Sequence, residues 1–396
     1  MKKIVFILLI IAVMIIFFAC NKKDEEIAQT KYVIDIELYE NDAVLMQKVF
    51  FTNPYEETLE TLVFNLYPNA YAKDAKNKAY KEKLLRYGGI ELTEVSVNGE
   101  AAEFTLSETK HQVTVTVPAL GKGDGAEIFF RCIVTIPDAR LRLGRYNGVY
   151  NMGNFYPVLA VYENGSFRDD EFSIVGDPFY TSVADYDVTI RTHKDLFIAA
   201  GGDAYTTVEG DRKVLKTAMS NSRDFAFCAS RNFKVLEQNA GKVKVRYFYL
   251  NDKKAEESLL TACQAIERFG KAIMDYPYPT FNVVETYFDY GGMEYPSLVY
   301  VSTTALDKNQ IIVHETAHQW WYGIVGVDGF NEAYIDEGLA TFFEGYFYNL
   351  DGDRLRFNEH AKKLKTDYAS YYAMNRKNDN FSAVLKKNLS SFGETE

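Results

Sequence analysis

The first two thirds of the chain alternate between apolar and polar positions with a period of two. Lys31-Tyr-Val-Ile-Asp-Ile-Glu-Leu-Tyr39 follows this pattern, as do His111-Gln-Val-Thr-Val-Thr-Val117, Asp185-Tyr-Asp-Val-Thr-Ile190 and Lys242-Val-Lys-Val-Arg-Tyr-Phe-Tyr249. Such alternation places one face of a strand on a core and the other toward solvent. Leu92 to Val97 runs into Asn98-Gly99, a dipeptide that favours the tight turn of a hairpin. Many short strands with Gly and Asn turns predict an all-β sandwich or saddle over residues 31–249.

After Asn251 the period lengthens. Leu259, Leu260, Cys263, Ile266, Phe269 and Ile273 recur at helical spacing within Glu256 to Met274, and Pro277 marks a stop. Strands are predicted for Phe281 to Phe288 and Leu298 to Ser302. Helices are predicted for Asn309 to Tyr322, Glu332 to Leu350 and Arg354 to Asn375. Residues 250–396 therefore read as a separate α+β domain. No internal repeat or low-complexity tract interrupts either region.

The N-terminus adds a targeting signal to this picture. Lys2 and Lys3 precede sixteen unbroken apolar residues, Ile4 to Ala19, and Cys20 is followed by the polar run Asn21-Lys-Lys-Asp-Glu-Glu26. The run is shorter than the roughly 20 residues of a spanning helix and fits the apolar core of a signal peptide. A small residue followed by Cys20 resembles a bacterial lipoprotein signal. Residues 1–20 would then be removed, Cys20 lipidated, and 21–30 left as a polar tether. Phe17 departs from the aliphatic residue usual three places before that cysteine, and a plain N-terminal transmembrane anchor is the alternative. Either arrangement puts the folded part outside the cytoplasm, with the membrane as one partner.

Charge and cysteine usage narrow the classes further. Loss of Lys2 and Lys3 takes the formal charge from −11 to −13, which argues against a nucleic-acid partner bound by counterion release. Cys132, Cys228 and Cys263 are odd in number and widely spaced, so they read as buried single thiols rather than a disulfide framework.

The second region carries His314-Glu315-Thr316-Ala317-His318. Residues four apart share a helical face, so both imidazoles reach one metal ion while Glu315 holds a water beside it. A catalytic zinc takes three protein ligands and keeps a fourth position open. Glu337, nineteen residues after His318, supplies the third from the next predicted helix, and Gly323, Gly326 and Gly329 let the intervening chain fold back. One zinc ion per chain is expected. His111, His193 and His360 have no ligand partner at useful spacing and read as surface or packing residues.

His314 to Trp321 spells HETAHQWW, Asp336 to Ala340 spells DEGLA, and Gly291 to Tyr295 spells GGMEY upstream. With their order and spacing, these motifs resemble the M1 family of zinc aminopeptidases. The β region resembles that family's N-terminal saddle domain, and residues 250–396 its thermolysin-like catalytic domain. The resemblance implies peptide substrates with a free N-terminus. Glu315 would be the general base. Glu294 would pair with the substrate α-ammonium, and the Gly291, Gly292 and Met293 backbone would receive the substrate as an added strand. Tyr295 replaces the asparagine usual there, and Gly292 stands where alanine is common; both bear on substrate preference. The family's second amine-binding residue is not located by any motif here; Asn151 to Pro157 is the candidate region.

Thr341 and Glu344 lie on the helical face of Glu337, and Glu344 is placed to orient a ligand histidine. Trp320, Trp321, Phe342, Phe343 and Tyr346 read as packing between the two ligand-bearing helices. The family's transition-state tyrosine stands about sixty residues after the glutamate ligand, where its hydroxyl stabilises the oxyanion. That position falls past Glu396, and Tyr368, Tyr371 and Tyr372 come too early. The catalytic domain is therefore expected to be incomplete, and this stretch alone a poor enzyme. Two other readings keep the fold: a non-catalytic surface scaffold that binds peptides, and a zinc endopeptidase. Retention of all three ligands and Glu315 opposes the first; Glu294 opposes the second.

Overall fold

A computed structural model describes residues 28–170, 172, 179–350, 352 and 354–375. Residues 1–20, read from the sequence as an export signal ending at Cys20, lie outside the described residues, as does the chain after 375. Among the described residues no helix is long and apolar enough to cross a membrane.

Apart from one 3₁₀ turn, Tyr67–Tyr71, the regular structure of the N-terminal part is β, as its alternation predicts. Lys31–Leu38 lies inside an eight-stranded sheet, parallel to Ala184–His193 and antiparallel to Asp42–Thr52. Its even-numbered residues Tyr32, Ile34, Ile36 and Leu38 are buried, and the odd ones half-exposed. Two four-stranded sheets pack with it, one containing Leu59–Asn65 and Gln112–Leu120, the other Val149–Met152 and Phe227–Ser230. Phe64, Phe130, Ile128 and Val115 are fully buried in the resulting core.

A third kind of sheet follows. Its order is Lys234–Ala240, Val243–Tyr249, Thr280–Thr286, Leu298–Ser302, Gly292–Met293. Val243–Tyr249 and Thr280–Thr286 pair in parallel, joined by the crossover helix α1, Ala255–Ala272. All seven residues of Thr280–Thr286 are buried, the expected state of a parallel strand covered on both faces. This sheet corrects the boundary placed at residue 249. The strands from Lys234 to Tyr249 belong to the same sheet as the strands after α1. The change of period at Asn251 marks a change of element type, strand to helix, and not a change of sheet.

Glu285 shows how this sheet sets the helices. Its side chain is 1% exposed, and Oε2 accepts hydrogen bonds from the backbone N–H groups of Leu250, Asn251 and Asp252 at 2.7, 2.9 and 3.1 Å. Lys308, the first residue of helix α2 (Lys308–Ala317), lies 3.5 Å from Oε1. One buried carboxylate thus joins the approach to α1, the central strand and the start of α2. A buried charge is tolerated only when satisfied in this way.

After α2 come a short helix α3 (Gly329–Glu332), α4 (Tyr334–Leu350) and α5 (Arg354–Asn375). Trp320 is 1% exposed, but its ring packs on Phe269 of α1 and on Tyr276, not chiefly between α2 and α4. Trp321, Phe343 and Tyr346 do form a contiguous aromatic cluster, at 5.5 and 5.7 Å between centroids. Phe342 is 62% exposed, one position off the inward face that Phe343 and Phe347 share. Cys132, Cys228 and Cys263 are free and buried.

Candidate metal centre

Helix α2 opens on Asp307, whose side chain accepts from Gln310 N–H. It then presents His314 and Glu315, with His318 one residue past its end. The sequence predicts one helix through Tyr322, but the α-helix ends at Ala317. Beyond it Trp321 leaves helical geometry, at φ −98° and ψ 62°, within the wide turn Gln319–Ile324. The departure has a purpose visible in the hydrogen bonds. The Trp321 carbonyl lies 3.1 Å from His318 Nδ1, so Nδ1 donates there and Nε2 is left free to face the cluster.

The structure brings His314, His318 and Glu337 together, with one potential ligand atom from each within 4.8 Å of the others. His314 Nε2 and His318 Nε2 are 3.2 Å apart. Glu337 Oε2 lies 3.2 Å from His314 Nε2, and Oε1 3.7 Å from His318 Nε2. Zinc–nitrogen bonds of about 2.0–2.1 Å at a tetrahedral angle separate two nitrogens by about 3.3–3.4 Å. The donor set therefore fits a zinc ion in both chemistry and spacing. Glu337 sits in the first turn of α4. Its loop is tied to the β region: Arg168 Nη1 donates to Asp328 Oδ2 at 2.7 Å, while the same guanidinium holds Asp170 and Glu163.

Charges around the cluster are coupled. Burial alone would lower the His314 and His318 imidazoles, but the facing carboxylates reverse this, raising His314 well above its usual value and His318 to about 10. Burial alone would raise Glu337, and the two histidines hold it well below the carboxylate range instead.

Glu344 is buried on the same face of α4. Oε2 lies 3.7 Å from His314 Nδ1, and Oε1 lies 3.1 Å from His360 Nδ1. His360 Nε2 is 3.0 Å from the Thr341 carbonyl. The reading of His360 as an ordinary packing residue is thus corrected: it extends a line from α5 through Glu344 to a ligand-position histidine. No local spacing signals this, because the contact depends on how α4 and α5 pair. Glu344→Gln is expected to weaken zinc affinity about 10- to 100-fold, the usual cost of losing an outer partner. Competition with a chelator of known affinity measures it; unchanged affinity would mean that Glu344 does not orient His314.

Glu315 is 5% exposed and its carboxylate lies over Gly292. A Cβ at that glycine would come within 2.3 Å of Oε1 and 2.7 Å of Cγ. Gly292 therefore leaves the space that Glu315 occupies. Gly292–Met293 is the terminal strand of the five-stranded sheet, paired antiparallel with Leu298–Ser302. Glu294 follows it and is 5% exposed; its charge contributes to raising His318. Glu315, the terminal strand and Glu294 thus converge on the histidine pair. Asn151 bonds the Leu141 and Tyr287 carbonyls, and Asn154 lies against Tyr295. His111 and His193 stand away from the centre, facing Asp169 and Asp195.

Residues 258–388 match the profile of the peptidase family M1 domain. Curated relatives include an alanine/arginine aminopeptidase of Saccharomyces cerevisiae, 25% identical over 194 residues, covering 45% of this chain and 21% of that protein. Leucine aminopeptidase 2 of Candida glabrata is 33% identical over 90 residues, 20% of this chain and 14% of that protein. A puromycin-sensitive aminopeptidase of Caenorhabditis elegans is 21% identical over 295 residues, 68% of this chain and 31% of that protein. The matched stretches thus span less than a third of these relatives. An M1 zinc metallopeptidase from Deinococcus radiodurans shares the fold, with a TM-score of 0.59 at 15% identity over 87% of this chain and 74% of that one. A mutant of it bound to a Tyr-Ser-Ala substrate superposes equally well, over 88% and 75%.

Proposed function

We propose, from the match of residues 258–388 to the peptidase family M1 domain, that the protein is a zinc aminopeptidase acting on peptides with a free N-terminus. The observation that supports this most strongly is the convergence of three ligand-type side chains within 4.8 Å beside Glu315 and a sheet edge that ends in Glu294.

His314, His318 and Glu337 would hold the metal. Zinc bound there would supply Lewis acidity, acidifying water and polarising the scissile carbonyl. The protein's own residues do the rest. Glu315, fixed over Gly292, accepts the proton of the attacking water on a carboxylate oxygen and returns it to the nitrogen of the leaving amine. The Gly292–Met293 edge lines up an extended substrate by backbone pairing. Glu294 meets the α-ammonium, so cleavage falls one residue from the N-terminus. An internal segment offers no charge at that place. We also propose that Cys20 carries a lipid anchor that holds the protein at the outer face of the membrane.

The test, made on the full-length protein, is zinc content together with hydrolysis of aminoacyl anilides, free or acetylated at the amine. One zinc per chain and turnover of only the free-amine series is expected. Turnover of both series would favour an endopeptidase; zinc without turnover would favour a peptide-binding scaffold.

A further inference from the structure

We propose that Tyr295, with Asn154, Asp224 and the space left by Gly153, is the positioning element that holds Glu294 in place for the substrate amine. This rests on the aminopeptidase reading above.

Tyr295 directly follows Glu294 and is 0% exposed. Its hydroxyl donates to Asn154 Oδ1 at 2.9 Å, and Asn154 Nδ2 donates to Asp224 Oδ2 at 2.7 Å. The other oxygen, Oδ1, receives Tyr156 Oη and Phe225 N–H, each at 2.7 Å. Both Asp224 oxygens thus accept, from Asn154, Tyr156 and the Phe225 N–H. That fixes the direction of every bond in the line. Asn154 must turn its amide nitrogen to Asp224 and its carbonyl to Tyr295, and Tyr295 must donate.

The backbone at the same residue is held from the opposite side. Gln319, adjacent to His318, donates from Nε2 to the Tyr295 carbonyl at 3.2 Å. Its Oε1 accepts from Ser297 N–H at 2.8 Å. Residue 295 is therefore fixed by the ligand-bearing segment through its backbone and by the β region through its side chain. The backbone of Glu294 is thereby held between the paired strand Gly292–Met293 and a neighbour pinned twice.

Gly153 makes this arrangement possible. A Cβ there would stand 1.9 Å from Tyr295 Oη and 2.4 Å from Cζ. The tyrosine and the glycine, 142 positions apart in sequence, are thus a size-matched pair. An asparagine at 295, the residue of the family pattern, would not reach into that space.

Four forms of the full-length protein test the proposal: wild type, Tyr295→Phe, Gly153→Ala, and Gly153→Ala with Tyr295→Asn. Tyr295→Phe removes one hydroxyl and leaves the buried Asn154 carbonyl without its donor. The KM of leucine p-nitroanilide should rise about tenfold, with kcat within about twofold and zinc content unchanged. Gly153→Ala should raise KM further and lower the melting temperature, and adding Tyr295→Asn should recover part of both. Wild-type KM in Tyr295→Phe, or a loss confined to zinc content and kcat, would overturn the positioning role alone. A double variant no better than Gly153→Ala would overturn the size-matched pair. A wild type that turns over no free-amine substrate would overturn the aminopeptidase reading, and this role with it.

Discussion

Glu315→Gln is expected to lower kcat by about 10²- to 10⁴-fold, the contribution of a positioned general base, while one zinc per chain stays bound. That range corresponds to about 3–5 kcal/mol of transition-state free energy. The amide has nearly the volume of the carboxylate, so it can lie over Gly292 as Glu315 does. It cannot accept a proton. The three ligand-position side chains are untouched, so metal content and melting temperature should match the wild type. Two outcomes would contradict the assignment: turnover within tenfold of wild type, or loss of zinc in parallel with activity. The second would mean that Glu315 shapes the cluster rather than moving a proton beside it.

Glu337→Ala should have the larger effect on the metal. It removes one of three donors and the only anionic one, leaving His314 and His318 with Nε2 atoms 3.2 Å apart. Affinity should fall by more than the 10- to 100-fold expected for Glu344→Gln, whose side chain is an outer partner. A metal that binds only the folded state stabilises it by RT ln(1 + [L]/Kd), about 4 kcal/mol at a thousandfold excess over Kd. Wild type should therefore lose several degrees of melting temperature when chelated, and Glu337→Ala should lose almost none. Equal chelator sensitivity in both would remove Glu337 from the ligand set.

Protons compete for the same site. In the metal-free protein the charges of Glu337 and Glu294 outweigh burial and hold His318 at about 10. His314 is raised as well, and an imidazole must be neutral to ligate, so metal uptake at neutral pH releases protons from both histidines and tightens as pH rises. Titration of released protons in weak buffer would show it.

How much of this was legible in the sequence depends on the range of each interaction. The histidine pair could be read from its spacing, because four residues along a helix is a local geometry. Strand alternation could be read for the same reason, and Lys31–Leu38 buries the face its pattern predicts. The end of helix α2 could not. Gln319-Trp-Trp-Tyr322 contains no glycine or proline, and the chain leaves the helix there to bring the Trp321 carbonyl to His318. Contacts between distant segments left no trace in any local pattern. Glu344 to His360 depends on the pairing of α4 with α5, and Gly153 to Tyr295 on the docking of the β region against the terminal strand. The boundary misplaced at residue 249 has the same origin: periodicity reports what an element is, and says nothing about which sheet it joins.

That boundary matters to anyone who would divide the protein. A cut at residue 250, where the pattern changes, removes Lys234–Ala240 and Val243–Tyr249, two of the five strands in the sheet. Thr280–Thr286, buried at every position, would then become an open edge of unpaired backbone that carries Phe281, Val283 and Val284. Such an edge recruits other chains. The C-terminal part carries His314, His318 and Glu337 within its own sequence, yet once excised there it would be prone to self-association, because the strands that protect its sheet are encoded before the point where it seems to begin.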